Sequence, residues 1–382
     1  MSKKVISFQS KRFTQTVIPM RLHQARIFRG LSLAELAEKL EISRQAIGRM
    51  EQGTLKVSAN TLVKLSDILD FPIHFFSKEL KLNSTESGAV FFRTRSISQK
   101  KRDAYKMKIK LYADEVVGAL QCYFDLPVLN FPQYDKEHPY EGYTVEDMED
   151  VAMSVRNAWN IGSAPIQNLM SVMQRNGIII FKMDLGMTDG FSQWSNGVPI
   201  VVVNEKSNYF RTRFSLAHEL GHLLLHSDVK DEDSAKREIE AEANAFAGSF
   251  LMPDCSFQKD VRATMLNDLV PLKKRWGVSI AAIVYRLHKL GYVTEERYKG
   301  LNVQLSSRGW KKSEPFDNIY EDEEPRLFRE CVKILLEESI VSKADLVEQI
   351  ALSPEDMADA FYLPREFFTE KDIVPKLNVD LK

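Results

Sequence analysis

Cysteine is scarce in this sequence. Its 382 residues include three cysteines, Cys122, Cys255 and Cys331, which lie far apart, and no CxxC pair is present. A disulfide framework or a zinc ribbon needs several closely spaced cysteines, so neither is expected. At this length, and with 44% hydrophobic residues, the chain can form two or three domains with hydrophobic cores.

Long apolar runs are also missing. No stretch of about 18 uncharged apolar residues occurs, so we expect no transmembrane helix. The first residues, MSKKVISFQSKRFTQTV, contain no long apolar run and so lack the apolar centre of a secretory signal. We therefore expect a cytoplasmic protein with no membrane partner.

The net charge of −1 hides a basic N-terminal part. Residues 1–75 contain twelve lysines and arginines but six acidic residues, a balance of +6. A basic end on a nearly neutral chain suggests a polyanion as a partner. Charge alone does not distinguish this from a basic surface that only keeps the domain soluble.

Four short helices are predicted between residues 21 and 77. In LSLAELAEKL the apolar residues have helical spacing, Ser32 can cap the helix, and Glu35 stands three residues further on, as in a capping box. After a tight turn, Ser43 can cap a helix in SRQAIGRMEQG, which ends at Gly53. Two short helices across a tight turn predict a helix-turn-helix unit.

The stretch LSLAELAEKLEISRQAIGRMEQG resembles the Cro/repressor-type (XRE) helix-turn-helix. The resemblance implies that the second helix enters the major groove of double-stranded DNA with its N-terminal end nearest the bases. Arg44 and Gln45 would then contact base edges. Ser43 and Lys56 would contact phosphates, and Arg49 can do either.

This interpretation also has a consequence for assembly. One such helix reads one half-site, so a palindromic operator would require a homodimer. The alternative is a helical module of the same shape that contacts protein instead of DNA.

Composition divides the rest of the chain into three parts. Residues 79–143 form a basic helical connector that ends in a loop containing prolines. Residues 144–312 contain two β-branched strands among several helices, at 177–183 and 197–204. The second strand could hold an extended substrate at a sheet edge, or it could be plain core.

Residues 313–382 begin with an acidic linker and continue as a C-terminal helical region. The stretch SKADLVEQIALSPEDMADAFYLPREFF faintly repeats the helix-turn-helix pattern, but it is acidic where the first is basic. It is therefore either a protein-contacting module or a generic helical cap. We predict a mainly α protein with a small β-sheet, in which an all-α helix-turn-helix domain (1–78) precedes an α+β domain (144–312).

The stretch RFSLAHELGHLLLH contains two histidines four residues apart. On a helix such residues lie about 40° apart around the axis and about 6 Å apart along it, so His218 and His222 can bind one ion. Glu219 lies beside the same face, where it can act as a general base without being a ligand. Gly221 leaves the helix surface open near the metal. His226 lies about 12 Å from His218 along the axis, too far to bind the same ion.

A catalytic zinc ion with two histidine ligands needs a third protein ligand. The next predicted helix carries Glu238, Glu240 and Glu242 beside its apolar stripe. Glu242 lies closest to the centre of the stripe, about 60° away against about 100° for the other two. A carboxylate near a buried stripe needs a partner, and a metal ion is the strongest. We therefore predict Glu242 as the third ligand; the alternative is a pair of histidines that are merely packed at a domain surface.

The stretches RTRFSLAHELGHLLLH, EAEANAFAGSFLMP and LKKRWGVSIAAIVYRLHKLG resemble the metallopeptidases named for ImmA and IrrE, over residues 145–295. The resemblance implies a zincin-like domain with a gluzincin-like site, in which His218, His222 and Glu242 bind Zn²⁺ and Glu219 is the catalytic base. It also implies that the substrate is a regulatory protein, often a phage or mobile-element repressor.

Together, the two resemblances predict a DNA-binding transcriptional regulator with zinc-dependent endopeptidase activity, which cleaves a regulatory protein such as a repressor, or itself. The alternative is an antitoxin-like or autoregulatory DNA-binding protein whose zinc domain is a non-catalytic scaffold or sensor. The presence of Glu219 favours the enzyme, because a scaffold has no need of the base.

Overall fold

The computed structural model describes residues 16–80, 91–92, 98–132, 143–227 and 236–369. These residues form a mainly helical protein with one small β-sheet, which confirms the predicted fold class. Within these ranges, no helix is both long and apolar enough to cross a lipid bilayer.

The N-terminal part consists of short helices and a closing 3-10 turn: α1 (Pro19–Phe28), α2 (Leu33–Leu40), α3 (Arg44–Glu51), α4 (Ala59–Leu69) and the turn Ile73–Ser77. The predicted capping box of Ser32 and Glu35 is present at the start of α2. The chain reverses after α2 because Glu41 has a left-handed conformation, with φ 57°. Ser43 then caps α3 by accepting a hydrogen bond from the backbone of Ala46. The two helices therefore meet at the tight turn that a helix-turn-helix requires.

A connector follows, with the elements β1 (Phe91–Phe92), α5 (Gln99–Leu111), a π-helical turn (Tyr112–Val117) and α6 (Gly118–Leu120). The π-helical turn carries the buried Glu115, which lies 2.7 Å from Nη1 of Arg21 in α1 and also pairs with Lys78. A buried carboxylate needs such cationic partners, because taking its charge out of water is costly. This cluster ties the connector to the N-terminal helices.

The β-sheet has the strand order β1-β3-β4-β2. β2 (Ile179–Met183) runs parallel to β4 (Val198–Asn204), whereas β3 (Gly190–Ser195) runs antiparallel to both β4 and β1. β2 and β4 lie in the two runs that the sequence indicated. The sequence pattern does not predict β3, because GFSQWS mixes polar residues with glycine. β4 is an interior strand. The run 197–204 is therefore a core strand, and the interpretation as an edge strand that holds a substrate is wrong.

Alternate residues of β4 face two different cores, because side chains point to opposite faces of a strand. Ile200 and Val202 pack with the N-terminal helices and the connector. Val201 and Val203 pack in a second core with the helices that follow the sheet. The helices around this second core are α7 (Val145–Ala158), α8 (Leu169–Arg175), α9 (Tyr209–Leu225), α10 (Lys236–Leu251), α11 (Asp254–Phe257), α12 (Leu269–Trp276), α13 (Ile280–Lys289) and α14 (Glu295–Ser307).

The acidic segment 313–325, predicted as a linker, is packed against the second core. Glu323 is buried, pairs with the buried Arg213 of α9 and accepts a hydrogen bond of 2.7 Å from the backbone of Met170. Glu314 lies 2.8 Å from the buried Lys273. The acidic residues therefore neutralise buried cations, and the segment is a strap that holds the domain together.

The C-terminal helices are α15 (Leu327–Glu337), α16 (Lys343–Ile350) and α17 (Pro354–Phe361), followed by a 3-10 turn (Arg365–Phe367). The faint repeat in the sequence is a clear geometric repeat. Like α2 and α3, α16 and α17 have eight residues each. Ala351 has the left-handed conformation of Glu41, and Ser353 caps α17 as Ser43 caps α3.

This repeated unit is not built to read DNA, because α17 is buried along most of its length. Asp356 of α17 is 4% exposed, and it lies 2.6 Å from Nη2 of Arg29 in the N-terminal part. The unit also shares its apolar core with the N-terminal helices. It therefore packs on the N-terminal part of its own chain, as a helical cap does.

The strap generates a test of stability. We expect Glu323→Ala to lower the free energy of unfolding by about 3–5 kcal/mol, because the substitution leaves the buried guanidinium of Arg213 without its carboxylate. Glu321→Ala is the matched control, since Glu321 is exposed in the same segment. Urea unfolding of the two variants measures the difference. Equal stability of both variants would show that the strap does not stabilise the domain.

Candidate metal centre and DNA-binding helix

Helix α9 carries both histidines of the HELGH motif. Asn208 caps the helix by accepting a hydrogen bond of 3.0 Å from the backbone of Arg211. His218 and His222 are fully buried, and their Nε2 atoms lie 3.0 Å apart. The spacing of four residues therefore turns two imidazole nitrogens towards one point.

Gly221 allows α10 to approach α9 closely. A Cβ atom at this position would lie 3.0 Å from Cδ1 of Phe246 and 3.4 Å from Cα of Ala243, both in α10. The interpretation that Gly221 leaves the helix surface open near the metal is therefore wrong, because α10 fills the space. This contact brings the glutamates of α10 within reach of the histidines.

The carboxylate nearest to both imidazoles belongs to Glu240. Its oxygens lie 3.6 Å from Nε2 of His218 and 3.8 Å from Nε2 of His222. One donor atom from each of the three residues lies within 4.8 Å of the others. The side chain of Glu240 is 25% exposed, so the donor cluster is closest to solvent on this side.

Glu242, predicted as the third ligand, has other partners. Its Oε2 atom lies 2.9 Å from Nε2 of His226, and its Oε1 atom accepts a hydrogen bond of 3.0 Å from the backbone of Tyr143. Glu240 and Glu242 lie about 160° apart around α10, on opposite flanks of its apolar stripe. The angular distance of a residue from the apolar stripe of α10 does not show which flank of the helix faces Nε2 of His222. In place of Glu242, we propose Glu240 as the third ligand.

The residues present fit a zinc ion. Nδ1 of His218 lies 3.1 Å from the side-chain oxygen of Asn244, which can only accept a hydrogen bond. This nitrogen therefore carries the proton, and Nε2 keeps the lone pair that binds a metal. The Nε2 atoms are 3.0 Å apart, close to the separation of about 3.3 Å for two ligands of a tetrahedral zinc ion.

Glu219 is held by the sheet. Its side chain is 1% exposed, and its Oε2 atom accepts a hydrogen bond of 2.8 Å from the hydroxyl of Ser192 in β3. A Cβ atom at Gly190, also in β3, would lie 3.4 Å from Oε1 of Glu219. The strand therefore leaves room for the carboxylate and fixes its direction.

Three residues of this centre are missing from the sequence-based site: Glu240, Asn244 and Ser192. Glu240 and Asn244 are four residues apart on α10, so they share a face, and both contact His218. That spacing is the signal in EAEAN that could have identified Glu240. Ser192 gives no such signal, because its strand is not predicted.

A cleft of about 440 Å³ adjoins the outer side of His218 through Asn244. Its lining includes Phe214, Tyr285 and Trp310, together with Arg211. Burial raises the pKa of Tyr285 to about 12. The hydroxyl is protonated at neutral pH, as in any tyrosine, and can donate a hydrogen bond. The cleft therefore combines aromatic surface with donor groups next to the metal centre.

Helix α3 has one buried and one exposed face. Ile47 and Met50 are buried against the other N-terminal helices. All five residues predicted to contact DNA are exposed: Ser43, Arg44, Gln45, Arg49 and Lys56. Of these, Ser43 also caps the helix. The geometry of α3 is compatible with the predicted major-groove contacts, which stay a prediction.

Two regions of the chain match known protein families. Residues 173–288 match the family model of the IrrE N-terminal-like domain, and residues 22–76 match that of a helix-turn-helix. Metallopeptidase ImmA of Bacillus subtilis (strain 168) is 27% identical over 110 residues. A region similar to a helix-turn-helix is thus joined to a region similar to the IrrE N-terminal-like domain. The alignment covers 27% of this chain and 60% of the relative, which is less than two thirds of its length.

The proposed third ligand of the metal centre can be tested by metal content. We expect Glu240→Ala to weaken zinc binding by more than about 100-fold, because loss of a direct ligand should exceed the 10–100-fold cost typical of outer partners. Glu238→Ala, which changes an exposed residue of the same helix, is the control and should bind zinc normally. A zinc-loaded Glu240→Ala together with an empty Glu242→Ala would restore the sequence-based choice.

Proposed function

We propose that this chain is a cytoplasmic, DNA-binding transcriptional regulator with zinc-dependent endopeptidase activity towards a regulatory protein such as a repressor. The observation that carries the proposal is the convergence of His218 and His222 of α9 with Glu240 of α10; α9 also presents Glu219. Two ligands and a separate carboxylate on one helix are the division of labour in HExxH peptidases.

The chain's own residues supply binding and proton transfer. His218, His222 and Glu240 would hold zinc, which supplies Lewis-acid polarisation of a peptide carbonyl and activation of water. Glu219 would take the proton of the attacking water and return it to the leaving amine. The hydrogen bond from Ser192 aims the Glu219 carboxylate, and the burial of both groups strengthens their interaction with charge that develops during the reaction.

The strand beside Glu219 is the proposed docking site for an extended substrate. β3 is bonded to β4 along its whole length and to β1 at Phe191 and Ser192, within the described residues. A substrate strand could pair with the outer edge of β3 beyond the two residues that β1 covers, where main-chain hydrogen bonds give affinity. The cleft at Tyr285 and Trp310 would then receive a substrate side chain.

The DNA-binding part of the proposal rests on the exposed face of α3. Arg44 can pair with guanine and Gln45 with adenine in the major groove. Ser43 and Lys56 would position the helix on phosphates, and a homodimer would read two half-sites.

The alternative is a non-catalytic scaffold or sensor, in which the same residues hold zinc but Glu219 takes no part in cleavage. Removal of the proposed base, Glu219, distinguishes the two functions, because only a peptidase would then lose cleavage.

The chemical role of Glu219 is tested by Glu219→Gln. We expect this variant to keep zinc and to lose cleavage by about 10²–10⁴-fold, because it removes the general base but not a ligand. Each variant is co-expressed with the products of neighbouring genes, and cleavage of these proteins and of the chain itself is followed by mass spectrometry. Glu205→Gln is the control, since Glu205 is exposed outside the centre. Zinc-loaded wild type that cleaves none of these proteins would favour the scaffold.

The DNA contacts are tested with fragments from upstream of the chain's own gene. Arg44→Ala and Gln45→Ala should relax sequence preference, at a cost of about 1–3 kcal/mol for each lost bidentate contact. Lys56→Ala should weaken all sequences alike and flatten the dependence on salt. Arg365→Ala, at an exposed site in the C-terminal region, is the control. If no sequence preference exists at any salt concentration, and both α3 variants bind like wild type, α3 is a protein-contact helix.

A further inference from the structure

A chain of hydrogen bonds runs from the metal-facing histidine into the protein. Nδ1 of His222 lies 3.0 Å from Nδ1 of His226. The other ring nitrogen of His226, Nε2, lies 2.9 Å from Oε2 of Glu242. His226 is fully buried and Glu242 is 8% exposed, so this chain is shielded from water.

The donor and the acceptor of each hydrogen bond follow from the carboxylate of Glu242, at which the series of hydrogen bonds ends. An ionised carboxylate only accepts hydrogen bonds, so Nε2 of His226 must carry a proton and donate it to Glu242. In a neutral ring, Nδ1 of His226 is then an acceptor, and Nδ1 of His222 must donate to it. The remaining nitrogen of His222, Nε2, is left without a proton, and it is the atom that faces His218 and Glu240.

We propose that His226 and Glu242 are positioning residues that fix the tautomer of His222, and so prepare its Nε2 atom to bind the metal. The proposal rests on the proposed metal centre but not on its catalytic activity. Glu242 then acts on the metal through two hydrogen bonds, one between Glu242 and His226 and one between His226 and His222. It does not act as the direct ligand that the sequence suggested. The proposal also explains why a third histidine stands one turn beyond the motif, out of reach of the ion.

Because the backbone amide of Tyr143 also bonds to Glu242, replacing one carboxylate oxygen of Glu242 by an NH₂ group would disturb the arrangement. Glu242 accepts one hydrogen bond from His226 and another, of 3.0 Å, from the Tyr143 amide. A glutamine at this position has one acceptor and one donor group, so it cannot serve both N–H groups. If its NH₂ group faces His226, every bond of the chain reverses, and the proton moves to Nε2 of His222.

The tautomer of His226 can be observed directly in zinc-loaded wild type. We expect ¹⁵N NMR of the imidazole rings to show His226 protonated at Nε2 and not at Nδ1. Because this measurement needs no variant, it stays decisive even if substitutions impair folding. A wild-type His226 ring protonated at Nδ1 would overturn the proposal.

The effect on metal binding is measured by competition with a zinc chelator. We expect Glu242→Gln and His226→Phe each to weaken zinc binding by about 10–100-fold, the range typical of outer partners of a ligand. The double variant should be no weaker than either single variant, because both break one chain. Glu238→Gln, at an exposed site of α10, should bind like wild type.

The outcomes separate the two hypotheses. Wild type that binds no zinc would remove the proposed function. Zinc binding by wild type together with unchanged affinity in Glu242→Gln would remove only the positioning role. Additive losses in the double variant would also contradict that role, because they would mean that Glu242 acts on the metal independently of His226.

Discussion

The close packing of α9 against α10 is the contact on which the metal centre depends. Gly221 has no side chain, so Phe246 and the backbone of Ala243 come near α9 at this point. Two buried arginines hold the far end of α10: Nη1 of Arg156 bonds to the carbonyl of Phe250, and Nε of Arg286 bonds to that of Met252 at 3.1 Å. Such bonds satisfy carbonyls that a helix end leaves unpaired. They keep α10 in the register that places Glu240 beside the histidines.

The sheet forms the physical connection between the connector and the proposed metal centre. On β3, Phe191 faces one core, where its ring centroid lies 6.2 Å from that of Tyr105 in the connector helix α5. The next residue, Ser192, points to the other side and bonds to Glu219. Two consecutive residues of one strand therefore contact the connector and the proposed base, because side chains alternate across a strand.

The two terminal regions form one body around the first core. Arg29 in α1 bonds to Asp356 in α17, and Lys78 bonds to the backbone carbonyl of Gln349 at 2.5 Å. The C-terminal unit repeats the turn geometry of the helix-turn-helix, yet its second helix is buried where α3 is exposed. The same local pattern therefore gives an exposed second helix in the N-terminal unit and a buried one in the C-terminal unit. The surrounding packing decides which of the two occurs.

Local spacing determined a large part of the site from the sequence alone. The period of 3.6 residues places His218, His222 and Glu219 on one side of α9, whatever surrounds the helix. Caps and turn residues likewise predicted the start of α2 and of α3 from Ser32 and Ser43. These features depend on residues a few positions apart, so they can be predicted from the sequence alone.

Relations between elements were decided only by the tertiary structure. Glu240 and Glu242 lie on opposite flanks of the apolar stripe of α10, and only the packing of α10 on α9 shows which flank faces the histidine nitrogens. The interior position of β4, the bond from Ser192 and the burial of the acidic strap depend in the same way on partners far along the chain. A helical or strand period fixes angles within one element. The rotation and order of elements relative to one another follow from how whole surfaces pack.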